Sequence, residues 1–360
     1  RDIRYNPIRH AVPFLTISPD SRSSGMGDVG VATTPDAYSA NWNIGKLANI
    51  DGQTGLALGY TPWLKRLVND IHLSYLTGYF RLDENQVLGA SMRYFSLGEI
   101  TFRDNTGSEI RVFIPNEFSF DGGYSRRLGP SFSMGLSGRY IYSNLTGVMT
   151  SGSETLKAGH AFAVDFGSYY HQDVNLGEYN GKVTAGLAVT NIETKVTYSE
   201  NNKNFLHMNM RLGAGLALDL DQYNSISFYT DLNKLLVPTP DPTNTEDYNS
   251  QNTSVAAAIF QSFSDAPGVN GSVFKEEMQE IMWSFGVEYW YNKQFALRAG
   301  YFHEHENKGN RKYLTAGAGL KMNVFALDFS YLIPTENNNP LENTLRFSLL
   351  FDIDAFSNQR

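Results

Sequence analysis

Apolar and polar side chains alternate with a period of two through most of this chain, and this periodicity restricts the possible folds more than any other feature. Between residues 207 and 220, Met208 and Leu212 share one face of an extended strand, while Arg211 and Asp219 share the other. The pattern recurs in fourteen segments: 54–63, 70–82, 86–102, 116–128, 131–145, 158–174, 181–194, 207–220, 224–236, 282–291, 294–306, 312–323, 325–334 and 342–354. It therefore predicts antiparallel β-strands that each have one apolar and one polar face.

The lengths of the connections distinguish the two folds that such strands can form, a soluble sandwich and a membrane barrel. Very short turns follow the second, fourth, eighth, tenth and twelfth segments, centred on residues 83–85, 129–130, 221–223, 292–293 and 323, and the intervening connections are long. An up-and-down outer-membrane barrel has short periplasmic turns and long outer loops in this order. We therefore expect an all-β fold with one transmembrane barrel of about fourteen antiparallel strands over residues 54–356, with both termini on the periplasmic side.

Composition fits a β-rich membrane chain and argues against other classes. Tyr (21), Phe (23) and Gly (32) are abundant, and charged residues make up only 18% of the chain. A net charge of −8 without a basic run argues against nucleic acid as a partner. No apolar stretch reaches the roughly 18 residues that a transmembrane helix needs. Barrel strands are not detected by that criterion, because they expose only alternate side chains to lipid.

Four charged residues on the polar faces of consecutive segments alternate in sign. They are Arg93, Asp121, Arg139 and Asp165. Inside a barrel, opposite charges on neighbouring strands offset each other's desolvation and hold the strand register. We expect these residues to stabilise the lumen as charge pairs, and a substrate pathway is the alternative.

Residues 1–53 precede the first alternating segment and are rich in Gly, Ser, Pro and Asp. They are predicted to form either a periplasmic segment or a plug within the lumen. Residues 1–6 are polar and contain no apolar signal-peptide core. The export signal that an outer-membrane protein needs is therefore expected to have been removed.

The longest connection, an extracellular loop predicted over residues 237–281, contains two short amphipathic helices. Apolar residues recur there at helical spacing behind potential N-cap residues. The candidate contacts with cargo or other partners are Val255, Ile259, Phe263, Phe274 and Met278. Packing over the barrel mouth is the other explanation of these apolar faces. Trp63 and Leu64, in the first outer loop, are likewise either membrane-interface anchors or partner contacts.

Residues that could carry chemistry form no recognisable constellation. The sequence has no nucleophile elbow, P-loop or paired-glycine nucleotide motif in a strand-turn-helix context. His303 and His305 would lie on one face of a strand, as metal ligands can, but a solvated rim also contains such residues. We therefore predict that the protein is not an enzyme and has no cofactor and no metal site.

Several stretches resemble the PorV (LptO) family of the type IX secretion system. They are residues 11–22 (AVPFLTISPDSR), 25–32 (GMGDVGVA), 40–43 (ANWN), 60–64 (YTPWL), 69–71 (NDI) and 93–99 (RYFSLGE). The wider superfamily of FadL-like transporters usually reads Asn-Pro-Ala before a leucine, where this chain reads NIGKL at residues 43–47. The resemblance therefore does not imply a ligand-gating hatch.

The resemblance implies a FadL-like fourteen-stranded barrel in the outer membrane of a Bacteroidetes-type bacterium. It also implies a shuttle that binds the C-terminal signal domain of secreted proteins at the giant outer-membrane translocon barrel (Sov/SprA type). The shuttle would deliver this cargo to the sortase-like attachment complex (PorU, PorZ), and outer-membrane lipid would surround it. A FadL-type transporter or channel for small hydrophobic molecules is the alternative function.

Overall fold

The fourteen alternating segments become fourteen antiparallel strands that close into a barrel. A computed structural model describes residues 5–8, 11–62, 70–103, 106–145, 149–151, 154–193, 196–199, 202–241, 253–268, 271–335 and 344–357. The barrel strands are β1 (Thr54–Pro62), β2 (Ile71–Arg81), β3 (Gln86–Leu97), β6 (Asn116–Arg127), β7 (Phe132–Asn144), β10 (Gly159–Leu176), β11 (Tyr179–Glu193), β14 (Asn209–Asp219), β15 (Asn224–Leu235), β16 (Met282–Tyr291), β17 (Phe295–His303), β18 (Lys312–Lys321), β19 (Phe325–Pro334) and β20 (Leu345–Asp352). Because β1 pairs with both β2 and β20, the sheet has no free edge, and the predicted barrel is confirmed.

Tight turns join the strands at one end of the barrel, which we call the short-turn end. They follow β2, β6, β10, β14, β16 and β18. The turn after β10 was not predicted, because polar residues interrupt the apolar alternation there. Pairing nevertheless continues to Leu176 and Tyr179, and Gly177, with a φ of 67°, makes a two-residue turn possible.

Hairpins and short helices lie at the opposite end, which we call the long-loop end. The hairpins are β4 (Ile100–Arg103) with β5 (Glu109–Phe113), β8 (Met149–Ser151) with β9 (Glu154–Leu156), and β12 (Val196–Ser199) with β13 (Asn202–Asn204). The helices there are α3 (Val255–Gln261) and α4 (Val273–Gln279), while α5 (Ile353–Ser357) follows β20. The segment predicted as one strand at 86–102 is two, because Gly98, with a φ of 79°, separates β3 from β4. None of the described helices is long and apolar enough to cross a membrane.

The alternation puts apolar side chains on the outside of the barrel. On β1, Leu56 and Leu58 are exposed, while Ala57 is buried between them. Large exposed side chains also point outward from distant strands, such as Phe162 on β10 and Leu297 on β17. An apolar outer surface of this kind matches the hydrocarbon of a bilayer.

Residues 11–53, which we call the N-terminal segment, run inside the barrel. The segment contains α1 (Ser21–Ser24), α2 (Ser39–Trp42) and two 3₁₀ helices at Pro13–Thr16 and Ile44–Asn49. The Ser21 backbone N–H donates to Ser348 Oγ of β20 (2.8 Å), and Asn43 Nδ2 donates to the Ser168 carbonyl of β10 (2.8 Å). The segment therefore bridges distant parts of the wall.

The described residues 5–8 lie at the long-loop end, not at the short-turn end. The Asn6 backbone N–H donates to the Asn307 carbonyl (2.8 Å), and its side-chain amide donates to the Pro240 carbonyl (2.8 Å). The start of β1 and the end of β20 do lie together at the short-turn end, where Gly55 is opposite Asp352. The prediction that both termini lie on the side of the short turns therefore does not hold for residues 5–8, since the chain crosses the lumen before β1 begins.

Candidate functional site

A band of glycines on the inner wall receives the N-terminal segment. Its members are Gly59 (β1), Gly167 (β10), Gly186 (β11), Gly286 (β16) and Gly300 (β17). A Cβ atom at Gly59 would lie 2.1 Å from the Pro19 carbonyl oxygen, and one at Gly300 would lie 2.1 Å from the Gly27 nitrogen. Backbone therefore packs directly on backbone around much of the circumference of the lumen.

A buried ion-pair network ties the N-terminal segment to the wall. Arg22 holds both carboxylate oxygens of Glu288 on β16, through Nε (2.9 Å) and Nη2 (2.8 Å). The Nη1 atom of Arg22 also pairs with Asp36 (2.8 Å). Glu288 in turn accepts from Arg298 Nε on β17 (2.7 Å), and Arg298 pairs with Asp328 on β19. A bidentate contact between a guanidinium and a carboxylate fixes both the distance between the two groups and their relative orientation.

Lys46 is buried in the N-terminal segment without a carboxylate in ion-pair contact in the described part of the chain. It is 1% exposed, and its Nζ donates to the Gly30 carbonyl (2.7 Å) and to Thr33 Oγ1 (2.7 Å). Burial lowers the pKa of Lys46 to about 8, although Asp36 opposes this shift. The charged form of Lys46 therefore weakens the packing of the segment.

We expect Lys46→Met to raise the Tm at pH 7.5, and this gain to shrink as the pH rises toward 10.5. The pKa of Lys46 is about 8 in the folded protein, below its ordinary value of 10.5. Between these values the unfolded state binds the extra proton, so wild-type stability rises with pH by up to about 3 kcal/mol. Tm measured from pH 7.5 to 10 tests this, and a gain that stays constant with pH would contradict it.

The four predicted lumen charges are only partly brought together. Arg139 pairs with Asp121 and with Asp165 (Nη2 to Oδ2, 2.9 Å). Arg93 instead donates to the Leu15 carbonyl of the N-terminal segment (3.0 Å). In the strand register, Asp121 lies directly opposite Arg139, whereas Arg93 lies opposite Ser119. Arg93 therefore holds the N-terminal segment and does not extend the charge-pair row.

A cavity of about 640 Å³ lies between the N-terminal segment and the long-loop end. Its floor includes Ile17, Asp28 and Trp42. Its wall includes polar residues at or next to the long-loop ends of their strands, namely Asn209, Arg211, Asn233, Arg311, Tyr313 and Arg346. The lining combines arginines with amide and aromatic side chains, which suits a small polar ligand or a peptide end.

The predicted contact residues of the long loop divide into a packed set and an exposed set. Val255 and Ile259 of α3 pack against the buried Met208 and its neighbours. These two residues therefore form the packed set.

The exposed set begins with Phe263, which is 47% exposed. The centre of its ring lies 5.9 Å from Lys234 Nζ. Phe274 and Met278 of α4 are exposed as well. Phe260 of α3, which was not among the predicted contacts, is also exposed. The other two predicted contacts, Trp63 and Leu64, lie outside the described residues.

The opposite face of α4 is acidic and buried. Glu277 and Glu280 both accept from Lys234 Nζ (2.8 Å each), and Glu276 and Glu280 accept from Lys308 Nζ (2.7 and 3.0 Å). The sequence does not reveal this cluster directly, because amphipathicity alone does not tell which face of a helix packs inward. The spacing of the carboxylates along one side of a short helix was the available signal. α4 is therefore held by ion pairs, with its apolar side turned outward.

The histidine pair at the rim has structural contacts. His303 Nδ1 lies 3.2 Å from Tyr301 Oη, and His305 Nδ1 accepts from the Asn307 backbone N–H (3.2 Å). Glu304, between them in sequence, pairs with Arg311 (2.8 Å). Within the described ranges, no group of three or more His, Asp or Glu side chains is arranged to hold a metal ion.

Several solved barrels are similar to this chain along most of its length. The Ralstonia pickettii toluene transporter TbuX has 10% identity and a TM-score of 0.47, covering 92% of this chain and 95% of its own. The Pseudomonas putida toluene transporter TodX has 11% identity and a TM-score of 0.46, covering 91% and 95%. A Pseudomonas aeruginosa FadL homologue has 11% identity and a TM-score of 0.44, covering 96% and 99%. No curated protein matches the sequence.

The sequence also matches a family model, that of the type IX secretion system protein PorV, over residues 2–242. The match covers about two thirds of the chain and includes the N-terminal segment and the strands from β1 to β15. The resemblance found in the sequence is thereby confirmed. This outer-membrane β-barrel belongs to the PorV family of the type IX secretion system.

Proposed function

We propose that this chain is an outer-membrane shuttle of the type IX secretion system. It binds the C-terminal signal domain of secreted cargo at the translocon and delivers the cargo to the sortase-like attachment complex. Family membership supports the role in secretion. The single observation that supports cargo binding is the exposed apolar face of α3 and α4, where Phe260 is 78% and Phe274 is 75% exposed. In this proposal the long-loop end faces the cell exterior.

The helix α4, which carries part of the apolar face, is already fixed by buried ion pairs. Glu276 and Glu280 are 0% and 4% exposed and are neutralised by lysines of the barrel and the neighbouring loop. Large aromatic side chains that lose water contact on binding contribute most to protein interfaces. A surface that is fixed in advance loses little conformational entropy when a partner docks. These features favour a protein partner for this face.

We expect the double substitution Phe260→Ser with Phe274→Ser to reduce cargo capture at least tenfold. Affinity capture of the tagged protein from gently solubilised membranes, followed by quantification of secreted proteins that share the C-terminal domain, measures the loss. Neither side chain is buried, so the Tm should change little. Ile110→Ser, which removes an apolar side chain that is 67% exposed on the β4–β5 hairpin, is the matched control.

Unchanged capture by the double variant would refute the role of this face. Deletion of residues 253–281 is a less specific test, because it also removes the carboxylates that neutralise Lys234 and Lys308. The transporter alternative needs a path through the lumen, and the contacts of the N-terminal segment with the glycine band weigh against one. Uptake of a hydrophobic compound without cargo capture would favour that alternative.

A further inference from the structure

Two arginines in the wall of the 640 Å³ cavity have no ion-pair partner in the described part of the chain. Arg346 is 3% exposed, and its Nε, like that of Arg211, is buried without a hydrogen-bond acceptor. The guanidinium of Arg211 lies 4.8 Å from the centre of the Trp42 ring. Burial of a charge without a partner is costly, so an anion that completes both sites would bind favourably.

Other buried arginines of the lumen have acceptors within the protein itself. Arg139 and Arg298 pair with carboxylates of neighbouring strands, and Arg311, which lines the same cavity, pairs with Glu304 (2.8 Å). Asp28 also lines the cavity, but it accepts from Tyr313 Oη (2.6 Å) and forms no ion pair with Arg211 or Arg346 in the described structure. Glu306, a second acidic lining residue, pairs with neither arginine. Arg93 is also buried without a carboxylate in ion-pair contact in the described ranges, but it donates to the Leu15 carbonyl and to Asn41 Oδ1. The Nε atoms of Arg211 and Arg346 have no acceptor among the described residues, and this distinguishes the two guanidiniums.

The cavity also contains buried acceptors without donors. Asn209 and Asn233 are 1% and 5% exposed, and the side-chain oxygen of each has no donor among the described residues. A peptide end offers both kinds of partner, since its carboxylate accepts from arginine and its backbone N–H groups donate to amide oxygens. An alkyl carboxylate would satisfy the arginines but leave the amide oxygens unpaired.

We propose that this cavity binds the carboxyl-terminal end of an extended peptide, with the α-carboxylate held by Arg346 and Arg211. A volume of about 640 Å³ accommodates the last few residues of a chain. The lining residues sit at the long-loop ends of their strands, so the peptide enters from that end. The site does not depend on the cargo proposal, although a secreted protein bound at the long-loop end would supply such a terminus.

Calorimetric titration of the purified full chain tests the site. The protein is kept in amphipol, because detergent micelles would absorb the probe. The probe is an acetylated ten-residue peptide of alternating Ser and Val with a free carboxyl terminus. We expect it to bind at least tenfold more tightly than the same peptide with a terminal amide. Arg346→Gln should remove this preference and weaken binding of the acid peptide at least tenfold. Arg346→Lys keeps the positive charge but loses the planar guanidinium group that binds a carboxylate through two hydrogen bonds. Its affinity for the acid peptide should therefore lie between those of the wild type and Arg346→Gln.

Arg126→Gln, which removes an exposed arginine of β6, should leave peptide binding unchanged. The Tm of Arg346→Gln without peptide should equal or exceed that of the wild type, because the substitution removes an uncompensated charge. A purely structural Arg346 would instead give a lower Tm and normal binding. Equal binding of acid and amide peptides, no binding of either, or saturation by decanoate but not by the peptide would overturn the proposal.

Discussion

Replacing Gly300 with valine should expel the N-terminal segment from the lumen and leave the barrel closed. A Cβ atom at this position would lie 2.1 Å from both the Gly27 nitrogen and the Met26 carbonyl carbon. Neither is the end of a flexible side chain, and Gly300 itself is fixed by the pairing of β17 with β16 and β18. Overpacking of well-packed interiors costs about 1–3 kcal/mol, and backbone contacts of this kind fall at the upper end or beyond it.

Two measurements report expulsion of the segment. Trypsin should cleave at Arg22, which is 8% exposed in the packed segment, and conductance across a planar bilayer should rise above the wild-type level. Gly122→Val on β6 is the matched control, since a Cβ atom there meets nothing within 4 Å. Gly300→Ala introduces the same Cβ atom with less bulk and should give the same change. Protease resistance and conductance equal to those of the wild type in both Gly300 variants would contradict the prediction.

The strands were predictable from the sequence because their signal is local. Each strand faces lipid on one side and the lumen on the other, so apolar and polar residues alternate along the chain. This alternation is visible in the sequence of each strand by itself. The limits of this signal appear where polar residues occur on both faces. Asn175 and Asn180, opposite each other beside the turn after β10, extend the wall without contributing to the apolar alternation.

The contents of the lumen were not predictable in this way, because their contacts join residues that are far apart in sequence. Arg22 and Glu288 are separated by 266 positions, and neither stands out from its neighbours. Arg93 matched the alternating charge pattern, yet its guanidinium donates to the Leu15 carbonyl of the N-terminal segment, which is 78 positions away in the sequence. For α4, amphipathicity identified the helix but not the side that packs inward, since Lys234 and Lys308 attract its carboxylates from other elements.

Replacing Glu288 with glutamine should lower the free energy of unfolding by about 3–5 kcal/mol, the range for breaking one side of a buried ion pair. Glu288 is 1% exposed and is shared by Arg22 and Arg298. Without its charge, two buried guanidiniums face a neutral amide, and the remaining carboxylates, Asp36 and Asp328, each reach only one of them. Urea-induced unfolding in lipid vesicles, compared with the wild type, measures the loss.

The exposed pair between Lys182 and Asp173 supplies the control for this experiment. Its atoms are 3.6 Å apart, and the Asp173 side chain is 82% exposed, so Asp173→Asn should cost no more than about 1 kcal/mol. Adding Arg22→Met to Glu288→Gln removes one of the two uncompensated charges, so the combined loss should be smaller than the sum of the single losses. Additive losses, or a loss for Glu288→Gln no larger than that for Asp173→Asn, would show that this carboxylate does not anchor the N-terminal segment. A less-than-additive result would instead show that Arg22 and Glu288 act as one unit that joins the N-terminal segment to the barrel wall across the lumen.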